Sequence, residues 1–506
     1  MDEVAAALEG ARGLTATEIR DTLRRGGRVS VTTADVLRLL AASPMRFAAD
    51  GGDPPRWALG IAGQSMVVVP ALALHPWQRE ALEAWRRQRC RGVVEAVTGT
   101  GKTRVGVAAI RDELATGGQA LVLVPTKELL HQWRGVLAGA LASGVRVGLV
   151  GDGEEGSLAR DDVVLAVVNS AREPLHPRRA GGVLVADECH RYASVCNRLA
   201  LASAFPKRLG LTATFARPDG GHTDWLLPYF GRTCFRLGYD RAIRDGVVAP
   251  FSLALVGVRF SDEERGGYLD LSQRMARAAA RLLDQGLVRQ SPVAAFFEDV
   301  GRLAGGDGDA GMLARSYLRS MQERRRLLAE TPAKSAALAA LGSTLRSAAR
   351  TLVFTQSIEA AERAAAEVRA LGLSAAAIHS GLDGAARRSV LSRFASGAVR
   401  VAAAPQVLDE GIDVPSADLA VVLGASRSRR QMIQRMGRVL RTKPDGRLAR
   451  FVVVFVEDTV EDPAHGAHEG FLGEVTGVAD RQERFSSRSR PESITAFLAE
   501  DARRTT

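Results

Sequence analysis

Short apolar runs, rather than any single residue, most constrain what this chain can fold into. "GVVEAV" (92–97), "ALVLVP" (120–125), "VVLAVV" (163–168), "GVLVAD" (182–187) and "RLGLTA" (208–213) alternate with helix-like stretches. A second set follows at "TLVFTQ" (351–356), "AAAIHS" (375–380), "VRVAAAP" (399–405), "LAVVLG" (419–424) and "RFVVVFVE" (450–457). Strands apolar on both faces, joined by helical crossovers, imply parallel sheets covered on both sides. The expected fold class is therefore α/β, with two tandem domains of one architecture over 71–255 and 346–465.

Three other segments flank these blocks. Residues 1–70 read as a small winged-helix-like domain. Thr15-x-x-Glu18 and Thr32-x-x-Asp35 are helix-start patterns, and "RFAADGGDPPRWAL" alternates around a Gly/Pro turn as a two-stranded wing would. Residues 256–345 read as a helical, arginine-bearing insertion, thumb-like, with a flexible "AGGDGDAG" at 304–311. Residues 466–506, including "RFSSRSRPES", read as a polar tail.

Composition narrows the partners. The 506 residues hold 68 Lys+Arg against 57 Asp+Glu, a net charge of +11, and a basic surplus favours polyanions such as nucleic acid. Four cysteines form no CxxC and no paired framework, as in a reduced compartment. The start, Met-Asp-Glu, lacks a signal-peptide pattern, and no apolar run reaches the ~18–20 residues needed to span a bilayer. A cytoplasmic protein, nucleoid-associated if bacterial, is expected, with no membrane partner. Protein partners could dock on the N-terminal unit.

"VTGTGKTRVG" carries the first chemistry. It follows a strand and opens a helix, the setting a phosphate-binding loop requires. Gly99, Thr100 and Gly101 turn backbone N–H groups toward phosphate oxygens, Lys102 supplies a point charge, and the Thr103 hydroxyl can ligate Mg²⁺. Five positions before Gly101, where the strict motif has glycine, stands Ala96. "VLVADECH" ends another strand in Asp187-Glu188: Asp187 would hold Mg²⁺ and Glu188 would activate water. His190 either couples the site to its surroundings or caps the next turn. ATP and Mg²⁺ are the expected cofactors. Gln78, in "HPWQREAL", could read adenine.

Further motifs discriminate among ATPases: "VLVPTKELLHQW", "GLTATFAR", "VFTQS", "IHSG", "DEGIDVP" and "QMIQRMGRVLR". The last puts Gln434, Arg438 and Arg441 on one helix face, arginines that look like fingers for a γ-phosphate. Together these motifs, in order over about 71–460, resemble the superfamily 2 helicases and translocases, most similar to the XPB/Rad25-like branch and to restriction-enzyme-type translocases. The resemblance implies two RecA-like P-loop domains. It assigns Gln78, Gly99, Gly101, Lys102, Thr103, Asp187 and Glu188 to ATP, completed by Asp413, Arg438 and Arg441. It assigns Pro125, Thr126, Thr214, Thr355, Ser380 and Gly381 to a nucleic-acid path.

Some features depart from that branch. After "TAT" its members carry Arg-Glu-Asp, where this chain has Arg217-Pro218-Asp219. The branch's damage-sensing N-terminal domain is replaced by the winged-helix-like unit. The inserted cysteines of iron–sulfur helicases and a nuclease constellation are both missing, and His465-x-x-His468 reads as a loop feature. The expected function is an ATP-dependent DNA helicase or translocase. An RNA track, or a DNA-binding regulator with a vestigial ATPase, remain the alternatives.

Overall fold

The structure, a computed structural model, describes residues 4, 7–8, 14–26, 30–41, 47–49, 56–59, 72–142, 144–171, 173, 175–179, 181–217, 220–291, 293–405, 417–424, 439, 448–465, 472 and 477–499. The chain divides into two compact units. One comprises 1–95, 101–216 and 220–236; the other comprises 96–100, 217–219 and 237–506.

In the first unit, the N-terminal part pairs β1 (Leu14–Thr15), β3 (Arg56–Leu59) and β2 (Phe47–Ala49) in an antiparallel sheet of order β1-β3-β2. Helix α1 (Ala16–Arg25) opens on the capping box that the sequence predicts: Thr15 Oγ1 accepts from Glu18 N–H, and Glu18 accepts from Thr15 N–H. Thr32 and Asp35 form the same reciprocal pair ahead of α2 (Thr33–Ala41). Ile19, Val36 and Leu40 pack into one apolar cluster with Val4 and Leu8.

The main sheet of this unit has eight strands in the order β11-β4-β10-β9-β5-β8-β6-β7. They are β4 (Arg91–Ala96), β5 (Ala120–Val124), β6 (Val147–Gly151), β7 (Glu154–Glu155), β8 (Val163–Val167), β9 (Val183–Asp187), β10 (Lys207–Thr212) and β11 (Thr233–Leu237). β4, β10, β9, β5, β8 and β6 run parallel, and β6–β7 is an antiparallel hairpin. Every residue of β5, β8 and β9 is buried. That is why these strands read as unbroken apolar runs rather than alternating ones. Helices α3 (Pro76–Arg87), α4 (Lys102–Ala115) and α5 (Lys127–Ala140) belong to this unit. Gly210 lets Cys189 approach β10, since a Cβ there would lie 2.9 Å from Cys189 Sγ.

The second unit holds a seven-stranded, all-parallel sheet in the order β14-β15-β13-β16-β17-β12-β18. Its strands are β12 (Phe251–Val258), β13 (Thr351–Phe354), β14 (Ala375–Ala377), β15 (Val401–Ala404), β16 (Leu419–Val422), β17 (Ala449–Val456) and β18 (Arg481–Phe485). The 255 boundary expected between the first α/β block and the insertion thus falls inside β12. Around this sheet lie α6 (Asp262–Asp284), α7 (Val293–Ala304), α8 (Gly308–Glu330), α9 (Pro332–Ala340), α10 (Ile358–Ala370), α11 (Gly384–Ser396) and α12 (Pro491–Ala499).

α6, α7 and α8 share an apolar cluster of their own, built on Met275, Leu282, Val300, Ala314 and Tyr317. The flexible glycine stretch at 304–311 is shorter than expected, because α8 already starts at Gly308. The polar tail needs a larger correction. Residues 481–485 form an edge strand beside β12, and Phe485, Ile494, Phe497 and Leu498 are buried in the core of the second sheet. Polar residues dominate there because the strand lies at the sheet's edge, with Gln482, Glu483 and Arg484 exposed. No helix among the described residues is long and apolar enough to cross a membrane.

Candidate nucleotide site and the motifs around it

Parallel register brings the key residues to one edge. Leu211 of β10 pairs with Asp187 of β9, and Thr212 pairs with Glu95 of β4, so β4, β9 and β10 deliver their last residues side by side. The carboxyl edge of such a sheet is where ligands bind in open α/β folds.

After β4 the chain turns through residues 97–101 and enters α4 at Lys102. Gly99 has φ +83° and Gly101 φ +84°, the left-handed region that glycine enters without the penalty a Cβ imposes. Thr100 Oγ1 donates to the Val97 carbonyl at 2.8 Å and tightens the loop. Gly101 caps α4 with no side chain, so the helix presents its first N–H groups to whatever the loop holds. Lys102 is buried and Thr103 half-buried at that end. Gln78 lies against the same loop: its Nε2 donates to the Gly101 carbonyl at 3.1 Å and its Oε1 accepts from His75 N–H at 2.9 Å. The amide expected to read adenine here ties the 97–101 turn to the start of α3.

Asp187 ends β9 almost wholly buried. Its Oδ2 accepts from the Trp133 indole N–H at 2.8 Å and its Oδ1 from Glu188 N–H at 3.0 Å. Burial pushes this carboxyl above its ordinary range, while the Trp133 bond, the Lys102 charge and the Glu188 N–H pull the other way. Each oxygen keeps a lone pair, so Asp187 and Thr103 fit a hard divalent cation such as Mg²⁺.

Glu188 sits at φ +48°, ψ +49°, a strained conformation for a residue with a Cβ and of the kind that clusters at functional sites. His190 stands between two motifs, with Nδ1 3.4 Å from Glu188 Oε2 and 3.0 Å from Thr212 Oγ1. Thr212 Oγ1 in turn accepts from Thr214 N–H at 3.2 Å. His190 thus lies on the turn after β9 and contacts both motifs. The next residue, Phe215, donates its N–H to Glu95 Oε1 at 3.1 Å, and Arg236 pairs with Glu95 Oε2 at 2.9 Å.

The residues expected along a nucleic-acid path also leave the carboxyl ends of their strands. Pro125 and Thr126 follow β5, and Thr126 Oγ1 caps α5 by accepting from Leu129 N–H at 3.3 Å. Lys127 Nζ and His131 Nε2 both meet exposed Asp152, at 2.9 and 2.8 Å. In the second unit Thr355 follows β13 and donates to the Ser357 carbonyl at 3.1 Å. Ser380 and Gly381 are exposed after β14. Gly381 N–H donates to His379 Nδ1 at 3.2 Å, which leaves Nε2 as the donor to Glu362 of α10 at 2.8 Å. Asp413, Gln434, Arg438 and Arg441 lie outside the described residues, as do Pro218, Asp219 and His468.

Trp133 and Glu95 touch the site although their motifs were read for other residues. Trp133 is inside the quoted "PTKELLHQW", seven residues after Thr126 and hence on the same helix face. That spacing was the available signal. Glu95 is a charge within an otherwise apolar strand, and such a residue needs a partner when buried.

Comparison with known proteins bears on the family and the fold. Residues 71–217 match the family described as type III restriction enzyme, res subunit. Residues 333–443 match the helicase conserved C-terminal domain. The chain is 28% identical over 375 residues to the DNA 3'-5' translocase XPB2 of Sulfurisphaera tokodaii, covering 74% of this chain and 79% of that one. It is 28% identical over 418 residues to the DNA 3'-5' helicase XPB of Kineococcus radiotolerans, covering 79% of this chain and 63%, less than two thirds, of that one. Among solved structures, the Pyrococcus furiosus Hef helicase domain superposes with TM-score 0.50 at 19% identity, over 77% of this chain and 97% of that one. Dbp5 of S. cerevisiae bound to RNA and ADP BeF3 gives 0.53 at 13% identity, over 84% and 93%. At such identities these two structures establish the RecA-like helicase fold alone.

Proposed function

We propose, from the premise that this chain belongs to the superfamily 2 helicases on their XPB/Rad25-like branch, that it is an ATP-dependent DNA translocase or helicase. The observation that carries the reading is the chain of contacts from Glu188 through His190 to Thr212 and Thr214. Those contacts tie the expected water-activating carboxylate to a loop expected to touch nucleic acid.

In this reading the N–H groups of the 99–103 turn and the first turn of α4 hold the phosphate chain, and Lys102 adds its charge at the β/γ-phosphates. A bound Mg²⁺ would supply positive charge to offset that of the phosphates. Thr103 and Asp187 would hold it. Glu188 orients the attacking water and takes its proton. By resemblance, Asp413, Arg438 and Arg441 serve the same reaction, the arginines stabilising charge on the transferred phosphoryl group. Pro125, Thr126, Thr214, Thr355, Ser380 and Gly381 serve the track, with contacts mainly to the phosphate backbone. The antiparallel sheet and two capped helices at the N-terminus support a winged-helix-like unit that adds DNA contacts, and α6–α8 support a thumb on the duplex. A DNA track fits work in the cytoplasm, at the nucleoid if the cell is bacterial.

The test is steady-state hydrolysis with single-stranded DNA, duplex DNA and RNA as activators. DNA should stimulate and RNA should not. Hydrolysis stimulated only by RNA would move the track to RNA, and no hydrolysis under any condition would leave a vestigial ATPase.

A further inference from the structure

The hydrogen bond between Trp133 and Asp187 joins two places that the functional reading treats separately. Trp133 is fully buried and its indole N–H reaches Asp187 Oδ2 at 2.8 Å. Trp133 belongs to α5, whose capping residue is Thr126 and whose first residue is the exposed Lys127. Seven residues are two helical turns, so Thr126 and Trp133 share a face about 10 Å apart along the axis.

The ring has no room to swing independently of the helix. A Cβ at Gly106 of α4 would lie 2.7 Å from Trp133 Cη2. Any shift of α5 therefore carries the indole donor with it, and Asp187 must follow or lose its bond. The carboxylate is clamped on both sides, by the indole on Oδ2 and by Glu188 N–H on Oδ1. The two bonds hold the plane of the carboxylate and leave each oxygen one accepting position.

We propose that Trp133 is a positioning residue, aiming the Asp187 carboxylate and making that aim depend on what α5 touches at its N-terminal end. DNA seated on Thr126 then tightens metal–nucleotide binding, and by linkage bound nucleotide tightens DNA by the same factor. The proposal rests on the DNA-dependent ATPase reading above.

The test compares Trp133→Phe, which keeps an aromatic ring and removes the donor, with Trp85→Phe. Trp85 donates its own buried indole N–H to the Arg208 carbonyl at 2.9 Å, so it controls for the loss of any such bond. Affinity for a fluorescent ATP analogue is titrated against Mg²⁺, with and without single-stranded DNA, and DNA binding alone is followed by anisotropy. Losing a partner that orients a metal ligand typically costs about 10–100-fold in metal affinity. Trp133→Phe should raise the Mg²⁺ concentration for half-saturation by that factor and abolish the DNA-induced gain in nucleotide affinity. DNA binding alone should hold, and Trp85→Phe should keep the coupling. If Trp133→Phe does not fold, 3-benzothienylalanine incorporated at position 133 retains the fused ring and removes only the N–H. Unchanged coupling in the folded variant, or equal loss in Trp85→Phe, makes Trp133 a packing residue and nothing more. A wild-type protein whose nucleotide affinity ignores DNA overturns the coupling, whereas one whose hydrolysis DNA fails to stimulate sinks the functional reading beneath it.

Discussion

Lys102 brings the side-chain cation of the phosphate turn, on a helix whose first residues point at the same spot. Lys102→Ala should abolish hydrolysis in a protein that still folds, and near-wild-type turnover would remove the loop from the ATP site. Glu188→Gln separates two roles: Asp187 is left to hold the metal, so ATP and Mg²⁺ should bind while turnover falls by orders of magnitude. Affinity for DNA in the presence of ATP should hold or rise, and unchanged steady-state turnover would take Glu188 out of the water-activating role. Thiol chemistry gives an independent check on burial. Burial pushes the Cys234 thiol up to about 11, and its Sγ donates to the Val93 carbonyl at 3.3 Å. Cys189 is buried and Cys196 exposed. At pH 8 a thiol reagent should label Cys196 first and leave Cys189 and Cys234 intact until the protein unfolds, read by mass spectrometry. At this scale the candidate site was legible where its residues are neighbours in sequence, Gly99 with Gly101 in the turn after β4 and Asp187 with Glu188 at the end of β9. Trp133 and Glu95 were harder to see, since their partners lie 54 and 120 residues away, and only the register of a folded sheet brings them together.

Elements were legible where both faces of a strand are buried, as in β5, β8, β9, β13 and β16, whose every residue is covered. β18 escaped notice because an edge strand with three exposed residues in five has no such signature. Helix α9 is a different case, fixed in place by charge. Lys334 Nζ lies 2.6 Å from Glu461 Oε2, both side chains being 2% exposed. Truncating one partner of a buried pair strands the other's charge and costs about 3–5 kcal/mol. Lys334→Ala should therefore lower the unfolding free energy in urea by that amount, whereas the double change Lys334→Met, Glu461→Leu should recover most of it. An additive double variant would mean that the two charges do not sense each other.

For the molecule as a whole, charge and connectivity carry the remaining prediction. The surplus of +11 serves a polyanion only if it is presented to one, and each phosphate neutralised adds to the salt dependence of binding. The N-terminal cluster is built from residues 4–40, while the first helix beneath the phosphate loop begins at Pro76. Deleting residues 1–60 thus removes no residue assigned to ATP and cuts no strand of either large sheet. Basal hydrolysis should survive that deletion. DNA binding should weaken, and the slope of log affinity against log salt should become shallower by about 0.9 for every duplex phosphate that the deleted unit had neutralised. Measuring both on one preparation separates the alternatives. A drop in affinity with an unchanged slope would mean that the N-terminal unit acts through the fold of its neighbour rather than through phosphates. If affinity and slope both survive, the unit is free to bind something other than DNA, and a docking surface for a protein becomes the better account of its arginines and its small apolar core.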